Sequence, residues 1–397
     1  MAQQEGEAMA PTQMAVGWSE HPDLRIAARE AATRAQVGLG GTPDAALVWS
    51  AGGEDLALPL VVREEFGKIP LAGCHVMGLI TPGGLIVNGV GILAIRSEDL
   101  DVQTVASSES GEDPWSVSAR AARLLLAGRP NRRRFPRGLG LIFGDRGLAE
   151  HWGPSVKGWR DFMGSRLKTI GAVTFGPVYN ASASHTRALS VFLMEGTVPI
   201  GIGVGLGFHP LEHTYTVTKH DGCRVVELNG QSAASVYLSA LPNDSPNLEP
   251  HDLALLIARH PLGLSGGEEH WLIRNVARIE RGGLLMTTEL PAGSVVRVMA
   301  GDPGRLGQAA RDAAATALKK LDGRPALAGV MIMSASRYDL AQTLSVEESK
   351  IIHEVIGDAT PMIGCLSEAE IGPISGTTPV LHMSSVVVVL FGEKSEA

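Results

Sequence analysis

One unit recurs along this chain, and a recurring unit constrains the architecture more than any single motif: helix, strand, helix, strand, strand. In the first copy, residues 24–38 (LRIAAREAATRAQVG) place small and apolar residues at helical spacing. Asp44 to Trp49 then reads as a buried strand running into Ser50-Ala51-Gly52-Gly53, and a helical stretch follows over 54–66. Pro70-Leu71-Ala72-Gly73-Cys74 opens a second strand, and Gly84 to Ile95 a further strand region. The same order returns near the C-terminus. An alanine-rich helix (303–321) leads to the strand Gly329–Met333, Ser334-Ala335-Ser336-Arg337, a helix at about 343–356, Pro361-Met362-Ile363-Gly364-Cys365 and a last strand over 384–391. The shared P-x-x-G-C anchors the two copies, and a weaker third lies between them. The units therefore span about 20–96, 112–194 and 303–391.

Residues 198–300 read as more β-rich. In Ile200 to Phe208, period-2 alternation puts Gly201, Gly203, Gly205 and Gly207 on one face and apolar residues on the other. A bare glycine face lets a backbone or a ligand come close. Strands are expected at 213–219, 223–228, 271–279 and 283–289, a helix at 231–240, and a surface loop over Leu241–Pro250. The expected fold is α/β or α+β: repeated strand–helix units forming mixed β-sheets flanked by helices, in two pseudo-equivalent domains.

Composition excludes several functions. The 397 residues carry a formal charge of −8, which disfavours nucleic acid and anionic membranes as partners. No apolar run reaches the roughly 18 residues of a membrane span. Cys74, Cys223 and Cys365 are odd in number with no zinc-like spacing, and the first residues lack a signal peptide's basic start and apolar core, so a cytoplasmic protein with a disordered tail over 1–20 is expected. No metal and no cofactor is expected. His209, His213 and His220 with Glu212 read as surface residues, since 209 and 213 on one strand lie about 13 Å apart. Asn131 to Arg137 is the one basic cluster and reads as a solvated loop.

Several segments carry a resemblance: the strands 45–49 and 189–193, Gly73-Cys74, Thr216-Val217-Thr218, Val226-Glu227-Leu228-Asn229-Gly230 followed by Ser232 to Tyr237, Gly283–Leu290, Ala369-Glu370-Ile371-Gly372-Pro373, and His382. Together, over about 21–393, these resemble the FIST family, with a FIST N domain at 21–226 and a FIST C domain at 227–393. The resemblance implies a sensory module of signal transduction that binds a small ligand, an amino acid being the candidate, and passes information to a signalling partner encoded elsewhere. The chain departs from the family pattern where Ser334 replaces Cys, Ala369 replaces Gly, Met383 replaces Asn, and Leu79 follows Gly78 in place of Glu.

Ligand sites in α/β units gather where strands end and helices begin. The candidate ligand-binding residues are accordingly Ser50, Gly52, Cys74, Gly78, Ser334, Arg337, Cys365, Glu368, Glu370 and His382, with no catalytic residue assigned. Arg337 could clamp a carboxylate while Glu370 or Glu368 takes an ammonium group; the competing reading is a structural Arg337–Glu370 ion pair. Cys74 and Cys365 occupy matching repeat positions and read as pocket contacts or as small buried hydrophobes. Gly263-Leu264-Ser265-Gly266-Gly267 has the G-x-S-x-G spacing after a strand-like run at 253–257, but not the small-residue helix a nucleophile elbow needs. The competing classes are a hydrolase or transferase using Cys74, Ser334 or Ser265, and an interaction adaptor without an F-box.

Overall fold

The computed structural model describes residues 12–109, 113–128, 137–164, 167–181, 183–242, 250–266, 270–343, 347–373 and 376–394. The basic stretch 131–136 lies outside the described residues.

Unit one comprises β1 (Gln13–Ser19), α1 (Leu24–Leu39), β2 (Ala45–Ala51), α2 (Leu58–Phe66), β3 (Leu71–Val76), the hairpin β4 (Leu79–Thr81) and β5 (Gly84–Ile86), and β6 (Gly89–Arg96). Unit two repeats it with β7 (Leu100–Ser108), α3 (Pro114–Ala127), β8 (Arg137–Asp145), α4 (Trp152–Met163), β9 (Lys168–Thr174), the hairpin β10 (Val178–Asn180) and β11 (Ser184–His185), and β12 (Ala188–Gly196). Then β13 (Ile200–Gly205) leads into an insertion: β14 (Phe208–Asp221), β15 (Arg224–Leu228), β16 (Gln231–Ser232), α5 (Ala233–Ala240), α6 (Pro250–Arg259), β17 (Leu262–Ser265), β18 (Trp271–Arg274), β19 (Val276–Glu280), β20 (Gly283–Met286) and β21 (Val295–Gly301). Unit three closes the chain with α7 (Pro303–Lys319), β22 (Ala326–Ser334), α8 (Ala335–Thr343), α9 (Glu348–Ile356), β23 (Met362–Ser367), the hairpin β24 (Ala369–Pro373) and β25 (Pro379–His382), and β26 (Val386–Gly392).

Each unit builds a six-stranded sheet but lends its hairpin to another. The strand orders are β1-β6-β2-β3-β10-β11, β7-β12-β8-β9-β24-β25 and β13-β26-β22-β23-β4-β5. Unit one thus lends its hairpin to the sheet of unit three, unit three to unit two, and unit two to unit one. The exchange is cyclic, so no unit can complete its sheet alone. Each sheet has one parallel pair, β2–β3, β8–β9 or β22–β23, and is otherwise antiparallel. The registers match: Trp49 faces Cys74, Phe143 faces Ala172 and Ile332 faces Cys365. All six belong to one core cluster drawn from the three sheets, where Trp49 and Phe143 meet edge to face at 6.0 Å. The helices cover the outer faces. The insertion is a separate sheet, β18-β17-β21-β14-β15-β20-β19, with its own core.

Glycine and alanine set the closest layer contacts. In α1, capped by the Asp23 carboxylate on the amides of Arg25 and Ile26, Ala27, Ala28, Ala31, Ala32 and Ala35 are buried. A Cβ on Gly17 of β1 would stand 2.0 Å from the Ala31 carbonyl oxygen, so only glycine permits this approach.

Three sequence expectations change. Residues 13–19, read as part of a disordered tail, form β1, because β6 supplies an antiparallel partner that local sequence does not reveal. The run at 253–257 lies in helix α6, not in a strand, its apolar residues packing against the insertion's sheet. Helix 343–356 is two helices, α8 and α9, with α8 starting directly at the end of β22.

Candidate functional site

Where β22 stops at Ser334 and α8 begins, hydroxyls gather. Ser334 Oγ lies 2.9 Å from Ser336 Oγ, which lies 3.1 Å from Ser384 Oγ. Asn275, in the short link from β18 to β19, joins them from the insertion: its Nδ2 donates to Ser336 Oγ at 3.0 Å and its Oδ1 accepts from Ser384 Oγ at 2.8 Å. Ser384 is held at φ 51, as is Arg187 at φ 47 in the matching position of unit two, so the left-handed turn belongs to the repeat rather than to this site. Ser336, Ser384, Asn275, Thr287 and Arg278 form the polar part of a half-open cleft of about 440 Å³, whose apolar wall includes Leu253, Ile257, Val276 and Ile279. The cleft lies between the insertion and unit three.

Alternation turns Ser334, Ser367 and Glu370 inward, on the side of Cys365 and away from the outer residues Ala369 and Ile371. Glu370 is wholly buried, accepting from Ser367 Oγ at 2.6 Å and from the Ser385 amide and hydroxyl at 3.1 and 2.7 Å. Burial raises its carboxyl to about 7, against the lowering effect of these bonds. Across the strand pair stands His382, also buried. Its Nε2 lies 3.2 Å from the Gly372 carbonyl while Nδ1 has no partner, and burial, with Arg274 nearby, lowers the imidazole to about 4.

The Glu370 shift fixes a pH dependence. Because the native state holds this proton more tightly than the unfolded chain, the stabilisation is complete below the ordinary Glu range and is lost as pH rises through about 7. The buried histidines His75, His260 and His382 act in the opposite sense, since all three are lowered. The comparison that isolates Glu370 is therefore with Glu370→Gln, whose neutral amide keeps the shape and bonding capacity. Between pH 5 and 7, chemical denaturation should show the variant gaining about 2 kcal/mol relative to wild type. Parallel stability curves would contradict the assignment.

Arg337 is wholly buried and fully occupied. Nε donates to Glu348 at 2.9 Å, Nη2 to Glu348 at 2.6 Å and to the Leu306 carbonyl at 3.1 Å, and Nη1 to the carbonyls of Leu206 and of Ser384, the latter at 3.2 Å. All five N–H groups are used, leaving none for a ligand carboxylate. The ion-pair partner is Glu348, not Glu370. Arg337 is thus a brace behind the cleft wall.

The remaining candidates divide. Cys74 and Cys365 lie in the shared core, where burial pushes both thiols up, with Cys365 adding to the shift of Cys74 and Glu370 to that of Cys365, so neither is a ready nucleophile. Gly78 is the residue before β4 and accepts from the Leu366 amide at 2.9 Å. Ser50 and Gly52 sit apart, at the end of β2: Ser50 Oγ lies 3.0 Å from His75 Nδ1 and 2.7 Å from the Tyr179 hydroxyl, wholly buried, and Gly52 packs on Asn88 at φ 94. Glu368 pairs with Arg146 at 3.3 Å on the outside. Ser265 lies on the hairpin strand β17, whose antiparallel partner is β18, so the G-x-S-x-G spacing has no elbow. Among the described residues no group of three or more His, Cys, Asp and Glu could hold a metal, and no helix is long and apolar enough to cross a membrane. Asn275, Arg274 and Ser384 were not anticipated; near Ser384, the sequence had singled out His382 and Met383.

The FIST N domain is matched over residues 44–231 and the FIST C domain over 233–373. The chain belongs to the FIST family. FIST domains are associated with sensory signal transduction. Within this FIST protein the domain boundary does not follow the structural units, since it cuts the insertion between β16 and α5, and the second domain takes in the rest of the insertion and most of unit three. Two uncharacterized proteins of Mycobacterium tuberculosis strains are each 25% identical over 95% of this chain and 98% of their own length. Among solved structures, cyanuric acid hydrolase from A. caulinodans aligns over 96% of this chain and 99% of its own at 9% identity and a TM-score of 0.40. PurLQS from Thermotoga maritima aligns over 96% and 72% at 10% identity and a TM-score of 0.24. Likenesses this distant carry no argument about chemistry.

Proposed function

We propose that this protein is a FIST-type sensor that binds a small ligand, of amino-acid type, in the cleft between the insertion and unit three. The carrying observation is that cleft: about 440 Å³, apolar on one wall, with hydroxyl and amide groups converging on the other at the start of α8. An apolar side chain suits Leu253, Ile257, Val276 and Ile279; a polar head suits Ser336, Ser384 and Asn275. Because the two walls belong to different parts of the fold, a ligand touching both binds one relative arrangement better than another, which is what signalling to a partner requires.

Amino acids with apolar side chains should raise the melting temperature with the logarithm of their concentration. Ala258, exposed on the cleft wall, can take a bulky residue without disturbing the core. Ala258→Trp should abolish the shift while leaving the ligand-free melting temperature within about 2 °C. An unchanged shift in Ala258→Trp would sink the reading, as would turnover of the added compound.

A further inference from the structure

The first strand of each unit stands at an edge of its sheet: β1, β7 and β13 each pair on one side only. An open edge presents N–H and C=O groups that another strand can take up. Two of the three edges are obstructed. The Trp18 carbonyl in β1 accepts from Arg34 of α1, and the carbonyls of Ile200 and Ile202 in β13 accept from Lys168 and Lys320. Helices also lie tightly on these two strands, with Gly17 against Ala31 and Gly201, Gly203 and Gly205 against α7. β7 has no glycine to admit its helix so closely, and Ser107 is its only buried residue. Among the described residues, a side chain reaches only its last carbonyl, that of Ser108, from Arg120 of α3.

Alternation along β7 fixes which groups are open. The Glu109 amide donates inward to the carbonyl of Arg187, the residue before β12, whereas the Ser108 carbonyl points outward to Arg120. Odd-numbered residues therefore bond to β12, and Val102, Thr104 and Ala106 turn their N–H and C=O groups outward, with no partner among the described residues. Above this edge, α3 runs from Arg120, whose Nε donates to Ser107 Oγ at 3.0 Å, to Gly128, where a Cβ would stand 3.3 Å from Gln103 Oε1. Leu124 lies one turn beyond Arg120 on the same stripe of α3, over the middle of β7, and is 53% exposed. Near the start of the strand Asp101 is exposed, stands opposite Glu195 of β12, and forms no ion pair among the described residues.

We propose that β7 pairs antiparallel with β7 of a second copy, symmetrically about Thr104, joining two protomers into a two-fold dimer whose sheet runs through both. In this register Thr104 faces the partner's Thr104 and Val102 faces the partner's Ala106. All of these turn their main-chain groups outward, so each pair exchanges two hydrogen bonds. A slip of one residue would set outward groups against inward ones. The partner's Asp101 falls opposite Ser107, on the face turned to α3, and so meets the Arg120 guanidinium that Ser107 holds. The same axis brings Leu124 of the two protomers together and covers both. One chain thus supplies both halves of the interface, as a two-fold contact requires. No residue lining the cleft takes part.

The test is sedimentation of the full chain from about 1 to about 200 µM. One strand pair and one helix contact make a small interface, so a dimer dissociating at about 10 µM is expected. Leu124→Asp, at an exposed position, should weaken association at least about tenfold and leave the melting temperature of the dilute protein unchanged. Thr104→Pro, which removes only an outward N–H, should abolish association. Asp101→Arg sets a like charge beside the partner's Arg120 and should weaken association about tenfold at low salt and less at high salt. In hydrogen exchange on the concentrated protein, the amides of Val102, Thr104 and Ala106 should be protected, and Leu124→Asp should lower that protection about tenfold. A chain still monomeric at about 200 µM overturns the proposal, as does a dimer that survives either Leu124→Asp or Thr104→Pro. Should Thr104→Pro fail to fold, Leu124→Asp and the exchange comparison still decide. Association weakened by Leu124→Asp but indifferent to Asp101→Arg overturns the register about Thr104.

Discussion

Replacing Glu348 by alanine should lower the free energy of unfolding by about 3 to 5 kcal/mol, the cost of stranding one half of a buried ion pair. The pair lies between the start of α9 and the third residue of α8, with side-chain exposures of 0% for Arg337 and 1% for Glu348. Burial alone raises the Glu348 carboxyl, and Arg337 opposes that shift, so the pair is a balance between desolvation and attraction. Alanine removes the attraction and leaves the desolvated guanidinium behind. Its other three bonds, to the carbonyls of Leu206, Leu306 and Ser384, join the residue after β13, α7 and the turn before β26 to α8, so the loss should spread to the cleft wall at Ser384. Urea unfolding with an unchanged slope would report the change directly. The double variant Arg337→Met, Glu348→Leu should recover most of the loss, because neither charge then remains buried. A single variant within about 1 kcal/mol of wild type would show that the pair is not desolvated as described.

Local spacing carried much of the fold. Helical spacing in 24–38 and 303–321, with the strands ending at Ser50 and Ser334, was legible because each unit's main elements are set by local periodicity and ended by small residues. The hairpin exchange was not legible, because pairing of β4 with β23, β10 with β3 or β24 with β9 is decided by which edges meet in space. The site was only partly visible for the same reason. Ser334 was read from the repeat as a strand end, and Glu370 and His382 from the family resemblance; the fold pairs Glu370 with His382 across β24 and β25 and joins Ser334 to Ser336. Arg337 was assigned to the wrong partner because Glu348 sits on a separate helix, whose packing against α7 no local spacing encodes. Arg274 and Asn275 come from the insertion and carry no pattern of their own.

The glycine face of β13 left two readings open in sequence, ligand approach or backbone approach, and the fold takes the second. A Cβ on Gly201, Gly203 or Gly205 would stand 1.9, 1.9 and 2.3 Å from the carbonyl oxygens of Ala317, Ala313 and Ala309 in α7. These alanines are spaced by four, one per helical turn, so three successive glycines on one strand face meet three successive turns of one helix. A backbone carbonyl cannot rotate aside as a side chain can, so any larger residue must lift the helix. Gly203→Val, at the middle contact, should therefore cost about 3 kcal/mol or more, beyond ordinary overpacking because rigid backbone is what yields. Lifting α7 also pulls on Leu306, which holds Arg337 through its carbonyl, and so the variant should weaken the ligand response at the cleft as well as the fold. Ile202→Val, whose side chain points to the opposite face in the core shared by the three sheets, is the control: it removes one methylene and should cost about 1 kcal/mol with the ligand response intact. If Gly203→Val unfolds no more readily than Ile202→Val, the helix does not rest on the strand as the backbone positions require.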